Sequence, residues 1–375
     1  MKKLMRLALL LLSLASTFSA SAAEERRFMS NSRLVIGTES ELSASLRIGD
    51  LDSDDDLDIA VANGRHWPQQ NLVWFNHGPA RFKLIRRLGQ DMAASYATEL
   101  ADLDNDGDLD IAVGNDTAPN LIFLNDGEGH FQRHATFGVP SSLRSLTLAD
   151  IDQDGNIDIL ANARGRQNLI YFNDGAANFP RTQPFGNQVD STIDVAVGDL
   201  NNDGYPDLVL ANRDAQQNVV LLNDGHTQFN QRIPFGSGQD ETRAIAVADL
   251  NGDGNLDWVA GNIGKTNTVY IGNGKGGITE AHDFGRTNGQ TYTLAIADMN
   301  NDDLLDIVIG NTGQQNAVFF NQGSGTTFRE VRFGEASEVT YNLAVGDLNK
   351  DGYTDIAVAN SGSENRIYIN LPAKK

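Results

Sequence analysis

A fifteen-residue segment recurs seven times along the chain: GDLDSDDDLDIAVAN, ADLDNDGDLDIAVGN, ADIDQDGNIDILANA, GDLNNDGYPDLVLAN, ADLNGDGNLDWVAGN, ADMNNDDLLDIVIGN and GDLNKDGYTDIAVAN. The aspartate at its second position is Asp50, Asp102, Asp150, Asp199, Asp249, Asp298 and Asp347, at spacings of 52, 48, 49, 50, 49 and 49 residues. A period in this range marks a repeat architecture, in which each unit buries its apolar surface only against its neighbours.

Other landmarks keep the same beat. An Asn opens a short apolar run each time, at Asn71, Asn120, Asn168, Asn218, Asn267, Asn316 and Asn365. Most runs end at Asn-Asp-Gly, Asn-Gln-Gly or a near variant, turns that supply the positive φ of tight hairpins. Phe-Gly pairs such as Phe137-Gly138 and Phe333-Gly334 close most units. The apolar runs are five to seven residues long, rich in Val, Ile, Leu and aromatics, and lack helical periodicity. Each unit therefore reads as four short strands, in the sixth near 292–297, 306–310, 317–321 and 328–333. Seven such units predict an all-β, seven-bladed β-propeller of four-stranded blades. The last unit stops after its third strand, and Arg33–Gly37 is a strand left over at the N-terminus. Ile36-Gly37 precedes Asp50 by the same 14 residues as Phe333-Gly334 precedes Asp347. The N-terminal strand is therefore expected to complete the last blade, because an open ring would leave an unpaired strand edge.

Ahead of the repeats, Lys2, Lys3 and Arg6 precede the apolar run Leu7–Leu14 and an Ala20-Ser21-Ala22 cleavage site. This reads as a secretory signal peptide over residues 1–23, with a single propeller domain over 24–375. There is no cysteine, hence no disulfide, no thiolate chemistry and no lipid-anchoring cysteine. A secreted or periplasmic address follows. The net charge is −21, and leader cleavage would make it −24. That balance argues against nucleic acid and anionic membranes as partners. We expect a soluble monomer with no membrane insertion.

The acidic loops occupy residues 50–58, 102–110, 150–158, 199–207, 249–257, 298–306 and 347–355, between the first and second strands of each unit. Their pattern is D-x-[DN]-x-D-x-x-x-D, usually with Gly at place six. Places one, three, five and nine hold Asp50, Asp52, Asp54 and Asp58 in the first loop, Asp102, Asp104, Asp106 and Asp110 in the second, and Asp150, Asp152, Asp154 and Asp158 in the third. The remaining loops carry Asn at place three: Asp199, Asn201, Asp203 and Asp207; Asp249, Asn251, Asp253 and Asp257; Asp298, Asn300, Asp302 and Asp306; Asp347, Asn349, Asp351 and Asp355. Ca²⁺ takes six to eight oxygens, and these side chains plus one backbone carbonyl at place seven can wrap an ion. The carbonyls are those of Asp56, Asp108, Asn156, Tyr205, Asn255, Leu304 and Tyr353. An EF-hand is excluded, since place twelve is an apolar strand residue rather than a bidentate Glu. Twenty-four clustered carboxylates repel one another without cations, so up to seven Ca²⁺, one per blade, are expected as part of the fold. Asp55 and Asp303 stand where the other loops have Gly, which predicts weaker binding at loops one and six. Affinities there are expected on the order of 10⁻⁴–10⁻³ M.

The D-x-[DN]-x-D-G-x-x-D loop, the apolar strands and Phe-Gly together resemble the FG-GAP or VCBS repeats of integrin α-subunits and secreted bacterial proteins, over roughly Arg33 to Leu371. The resemblance implies calcium loops on one face and a glycan or protein ligand on the opposite face. On that opposite face the first 2–3 loop is the longest and contains Arg65, His66 and Trp67. Trp67 is either a sugar platform or a residue packed over the neighbouring blade. Six places before the loop aspartate, five blades hold Tyr96, Arg144, Arg243, Tyr292 and Tyr341, expected around the mouth of the central channel. Arg164, Arg166, Arg213, Lys265 and Arg286 are expected on the same face, as ligand contacts or as solvated charges. The six histidines occupy no repeated place and no nucleophile motif appears, so a binding module is favoured over an enzyme. The alternatives are a lyase using His66, a rim Tyr and an Arg on a uronic acid polymer, or a purely structural envelope component.

Overall fold

The computed structural model describes residues 25–38 and 40–373; the leader read in residues 1–23 lies outside the described residues. Seven antiparallel sheets follow one another, six of them meanders of four strands and the last made of three consecutive strands closed by the N-terminal segment. The first blade is built from Ser43–Gly49, Asp58–Asn63, Leu72–Asn76 and Phe82–Arg87, and the sixth from Thr291–Ala297, Asp306–Asn311, Asn316–Asn321 and Phe328–Phe333. The boundaries of the sixth blade fall within a residue of the sequence expectation. The first strands ring a central channel and contact those of neighbouring blades.

The second strand of every blade is buried along its whole length, as in Asp58–Asn63 and Asp306–Asn311. A middle strand with a blade on either side has no solvent face, so its sequence is a continuous apolar run rather than an alternating one. Outer strands such as Phe82–Arg87 are mostly exposed and carry Lys and Arg. The core is split into seven clusters, each between two adjacent blades. Trp258, the largest fully buried side chain, packs edge-on to Phe235 at 5.8 Å between blades four and five.

The closing strand differs from expectation in its extent. Asn365–Pro372 pairs with two pieces of the N-terminal segment, Val35–Ile36 and, further along, Arg26–Met29. Arg33–Gly37 is thus a strand only at its centre, and the longer half of the closure lies upstream of it. The pieces cover both faces of the last blade. Phe28 enters the core between blades six and seven, whereas Leu34 and Ile36 enter the core between blades seven and one.

The repeated asparagines link the blades. Asn168 Oδ1 accepts the Ala163 N–H at 2.9 Å, and its Nδ2 donates to Thr192 Oγ1 of the next blade at 2.8 Å. Thr192 in turn donates to Asn212 Oδ1 at 2.9 Å. The relay closes the circle where Asn365 Nδ2 donates to Ser43 Oγ at 2.9 Å. All seven of these asparagines accept from a strand end, and five also donate to the next blade, so the buried amide satisfies two places at once.

Candidate functional site

The acidic loops gather on one face, each folded around its own first aspartate. In loop one the N–H groups of Asp54 and Asp55 donate to Asp50 at 3.2 and 3.0 Å, and Asp56 N–H donates to Asp54 Oδ1 at 2.9 Å. The aspartate at place nine is a clamp. Asp58 Oδ2 accepts Leu51 N–H at 3.0 Å and Oδ1 accepts Asn76 N–H at 2.8 Å, tying the loop to the end of the third strand. All seven blades repeat it, with Asp110, Asp158, Asp207, Asp257, Asp306 and Asp355 in the same bonds. Burial raises these carboxyls, helped by neighbouring carboxylates and opposed by the two N–H donors. Asp58, Asp306 and Asp355 reach about 7, and Asp110, Asp158 and Asp207 about 6.

The loops fall into two groups. In the first three, places one, three and nine converge closely enough for one ion to be shared: Asp50, Asp52 and Asp58, then Asp102, Asp104 and Asp110, then Asp150, Asp152 and Asp158. One oxygen each of Asp52, Asp104 and Asp152 is buried without a hydrogen-bond partner. An orphaned carboxylate oxygen among other carboxylates suits a hard cation. In the last four loops the Asn at place three donates to the aspartate at place five instead, as Asn201 does to Asp203 at 2.9 Å and Asn349 to Asp351 at 3.2 Å. Place six matters as read from the sequence: Asp55 and Asp303 sit at φ 67°, in left-handed geometry that the other five loops give to Gly. The sequence already marked both place six and the change from Asp to Asn at place three, and the structure adds that each of those Asn side chains turns to the aspartate at place five.

Place four adds a feature absent from the sequence reading. It lies at positive φ in all seven loops, from Ser53 to Lys350, and in five its side chain reaches the next loop. Asn105 donates to Asn156 at 2.8 Å, Gln153 to the Gly204 carbonyl at 2.6 Å, Asn202 to Asn255 at 2.9 Å and Asn301 to the Gly352 carbonyl at 2.9 Å. Lys350 pairs with Asp56 at 3.0 Å, joining the last loop to the first.

On the opposite face the channel opens as a funnel of about 460 Å³ lined by Tyr96, Arg144, Arg243, Tyr292 and Tyr341. The long first 2–3 loop folds inward over its mouth. His66 Nδ1 lies 2.8 Å from Tyr96 Oη, and the Arg65 guanidinium stacks over the Tyr341 ring at 4.2 Å and hydrogen-bonds its hydroxyl. Burial, with Arg65 and Arg144 nearby, lowers the His66 pKa and leaves a neutral imidazole. Trp67 is 71% exposed, so it does not pack over a neighbouring blade. The other expected cations divide. Arg164, Arg213 and Lys265 pair with Asp214, Glu241 and Asp240 and serve as charge balance, whereas Arg166 and Arg286 have no ion pair among the described residues.

Sequence reasoning missed the funnel's depth. Arg47 and Glu99 form a two-bond ion pair at 2.7 and 2.6 Å, and Arg47 also donates to Asn342 at 2.9 Å. Asp194 accepts the N–H groups of Val195 and Ile245 at 3.1 Å. A signal existed: at the place of Arg47 and Glu99 the other blades carry Thr147, Ala196, Ala246, Ala295 and Ala344.

The FG-GAP-like repeat pattern matches residues 50–113, 102–161, 150–210, 199–260, 249–309 and 298–358. The chain belongs to the FG-GAP-like repeat family. Each match runs from one acidic loop to the second strand of the next blade, so the matched unit straddles two blades of this FG-GAP-like propeller. Among solved structures, BBS1N in complex with ARL6DN is similar at a TM-score of 0.62 and 11% identity, over 93% of this chain and 98% of that one. A lectin of Agrocybe aegerita, described by its specific recognition of non-reducing terminal N-acetylglucosamine, is similar at a TM-score of 0.59 and 21% identity, over 87% and 86%. At these identities the likeness concerns the fold alone. No curated protein matches the chain significantly.

Proposed function

We propose that this FG-GAP-like propeller is an exported, calcium-binding module that docks a glycan on the funnel face, with protein ligands as the other class to test. The observation that carries the reading is the inward fold of Arg65–Trp67, which sets an exposed indole, a neutral imidazole and a guanidinium beside the tyrosines of a concave mouth. Aromatic faces beside fixed hydrogen-bonding groups suit sugar rings. The lectin neighbour supports a glycan-binding use of this fold, and BBS1N supports a protein-docking use.

Calcium would be held by the carboxylates and amides at places one, three, five and nine, together with the place-seven carbonyls from Asp56 to Tyr353. The orphaned oxygens of Asp52, Asp104 and Asp152 support this fit. The ion would neutralise the acidic face, and the loops then act as staples rather than as the ligand site. A glycan array probed with calcium and again with chelator tests the reading; blank arrays under both conditions reject the glycan class and turn the search to protein partners.

One observation favours a second reading. The His66–Tyr96 hydrogen bond places a neutral base beside a phenol at an arginine-lined mouth, a grouping able to move a proton on a uronic acid substrate. Ultraviolet absorbance from unsaturated products would reveal such a lyase, and its absence across uronate polymers removes the idea.

A further inference from the structure

Among the described residues, Arg243 is the one funnel arginine with neither an ion pair nor a donated side-chain hydrogen bond. Arg47 is paired with Glu99, Arg144 lies 3.4 Å from Asp116 and donates to the Leu143 carbonyl, and Arg65 is bonded to Tyr341. The Arg243 guanidinium forms no ion pair and donates no hydrogen bond among the described residues. Its closest aromatic neighbour is the Tyr292 ring, 5.6 Å from the guanidinium carbon, and Tyr292 and Tyr341 meet at 4.9 Å. Burial penalises its charge, and Asp194 offsets this only at a distance longer than an ion pair. A guanidinium fork that faces the cavity with no carboxylate of its own within ion-pair distance is complementary to a carboxylate.

The neighbours narrow the rest of the ligand. Asp194 spends one lone pair of each oxygen on backbone N–H groups and keeps the others for donors in the cavity. Tyr292 offers a ring face and a hydroxyl. We infer that the funnel binds an acidic sugar, with the carboxylate of a uronic acid unit on Arg243, its ring hydroxyls donating to Asp194, and its ring against Tyr292. This rests on the funnel-face reading above and specifies its ligand class. A volume of about 460 Å³ lies within the 300–1,000 Å³ typical of small-ligand sites. A peptide C-terminus would also satisfy Arg243 but brings fewer donors to Asp194, and a free amino acid would bring an ammonium in place of hydroxyls.

The test is a calorimetric titration of the full chain, at saturating calcium, with trigalacturonate, its methyl ester, a neutral galactose trimer, a short peptide and free glutamate. The expected result is binding of trigalacturonate, weakened at least tenfold by esterification and equally by Arg243→Gln. Arg243→Lys should recover part of the loss, since it restores charge without the fork. If Arg243→Gln lowers the melting temperature, Tyr292→Leu, which removes the ring face while keeping an apolar side chain, should still weaken binding severalfold. Equal binding of acid and ester, indifference to Arg243→Gln in a folded protein, or preference for the peptide or glutamate overturns the inference. Trigalacturonate binding that survives Arg243→Gln but is lost in Trp67→Ala overturns it while leaving the funnel-face reading standing. Blank glycan arrays would remove that reading as well.

Discussion

Ring closure rests heavily on Phe28. Its ring is 7% exposed and meets Phe333 at 5.6 Å and Phe320 at 6.4 Å, in the core between blades six and seven. Its backbone is held by register with Asn370, whose side chain accepts from Arg26 Nε at 2.8 Å. Phe28→Ala removes a ring from a site that the surrounding sheets keep from collapsing, a change that costs about 3–5 kcal/mol. Phe28 keeps some exposure, so the lower end, about 3 kcal/mol, is expected. At about 2.1 cal/mol/K per residue, a ring of roughly 350 residues unfolds with about 0.7 kcal/mol/K, so the melting temperature should fall by about 4 °C. Calorimetry in excess calcium measures it. Met29→Ala is the control, because Met29 lies on the same strand but is 46% exposed; it should change stability by less than about 0.5 kcal/mol. A Phe28→Ala shift as small as the control's would refute the closure mechanism, since the N-terminal piece would then not be seated in the core.

Further outcomes follow from the loops and the relay. The place-nine carboxyls are raised in the metal-free protein, so the folded state takes up protons before the unfolded chain does. Without metal, stability should therefore rise as pH falls from about 7 towards 4, while in calcium it should fall because protons displace the ion. Melting curves with and without chelator should slope in opposite directions, and parallel slopes would contradict the assignment. Asp303→Gly should relieve left-handed strain at φ 67° and raise both calcium affinity and stability by up to about 1 kcal/mol, read by titration and melting. Asn168→Ala strands the Ala163 N–H and a lone pair of Thr192 in the interior and should cost about 2–4 kcal/mol in urea unfolding. Trp67→Ala should leave stability within about 0.5 kcal/mol while weakening glycan binding.

Blade number, strand order and the positions of the acidic loops were legible because a repeat writes each constraint seven times, whereas the clamp made by the place-nine aspartate was not, since the sequence read it only as a metal ligand. The asparagine opening each third strand was visible as a marker, but its bond to the next blade is not, since partners such as Asn168 and Thr192 belong to different units. The closing strand was read short for a related reason. Arg26–Met29 has no counterpart in phase with the outer strands, and only the register against Asn365–Pro372 reveals it. On the funnel face, the five rim residues and Arg65–Trp67 were found separately, by position and by loop length. That the loop folds over the rim depends on a backbone reversal at His66, at φ 70°, which no local signal announces. Arg47, Glu99 and Asp194 escaped because each occurs once, and a search for repeats discounts what does not repeat.

In the proposed reading, the seven acidic loops bind calcium and this binding stabilises the ring. At a calcium concentration 100-fold above Kd each occupied site would add about 2.7 kcal/mol. The direct measurement is calcium stoichiometry by isothermal titration of the decalcified chain, with melting followed in parallel. Uptake of up to seven ions is expected, with loops one and six filling last, and a melting temperature that climbs as they fill. No heat of binding, with a melting temperature indifferent to calcium and chelator, would contradict it.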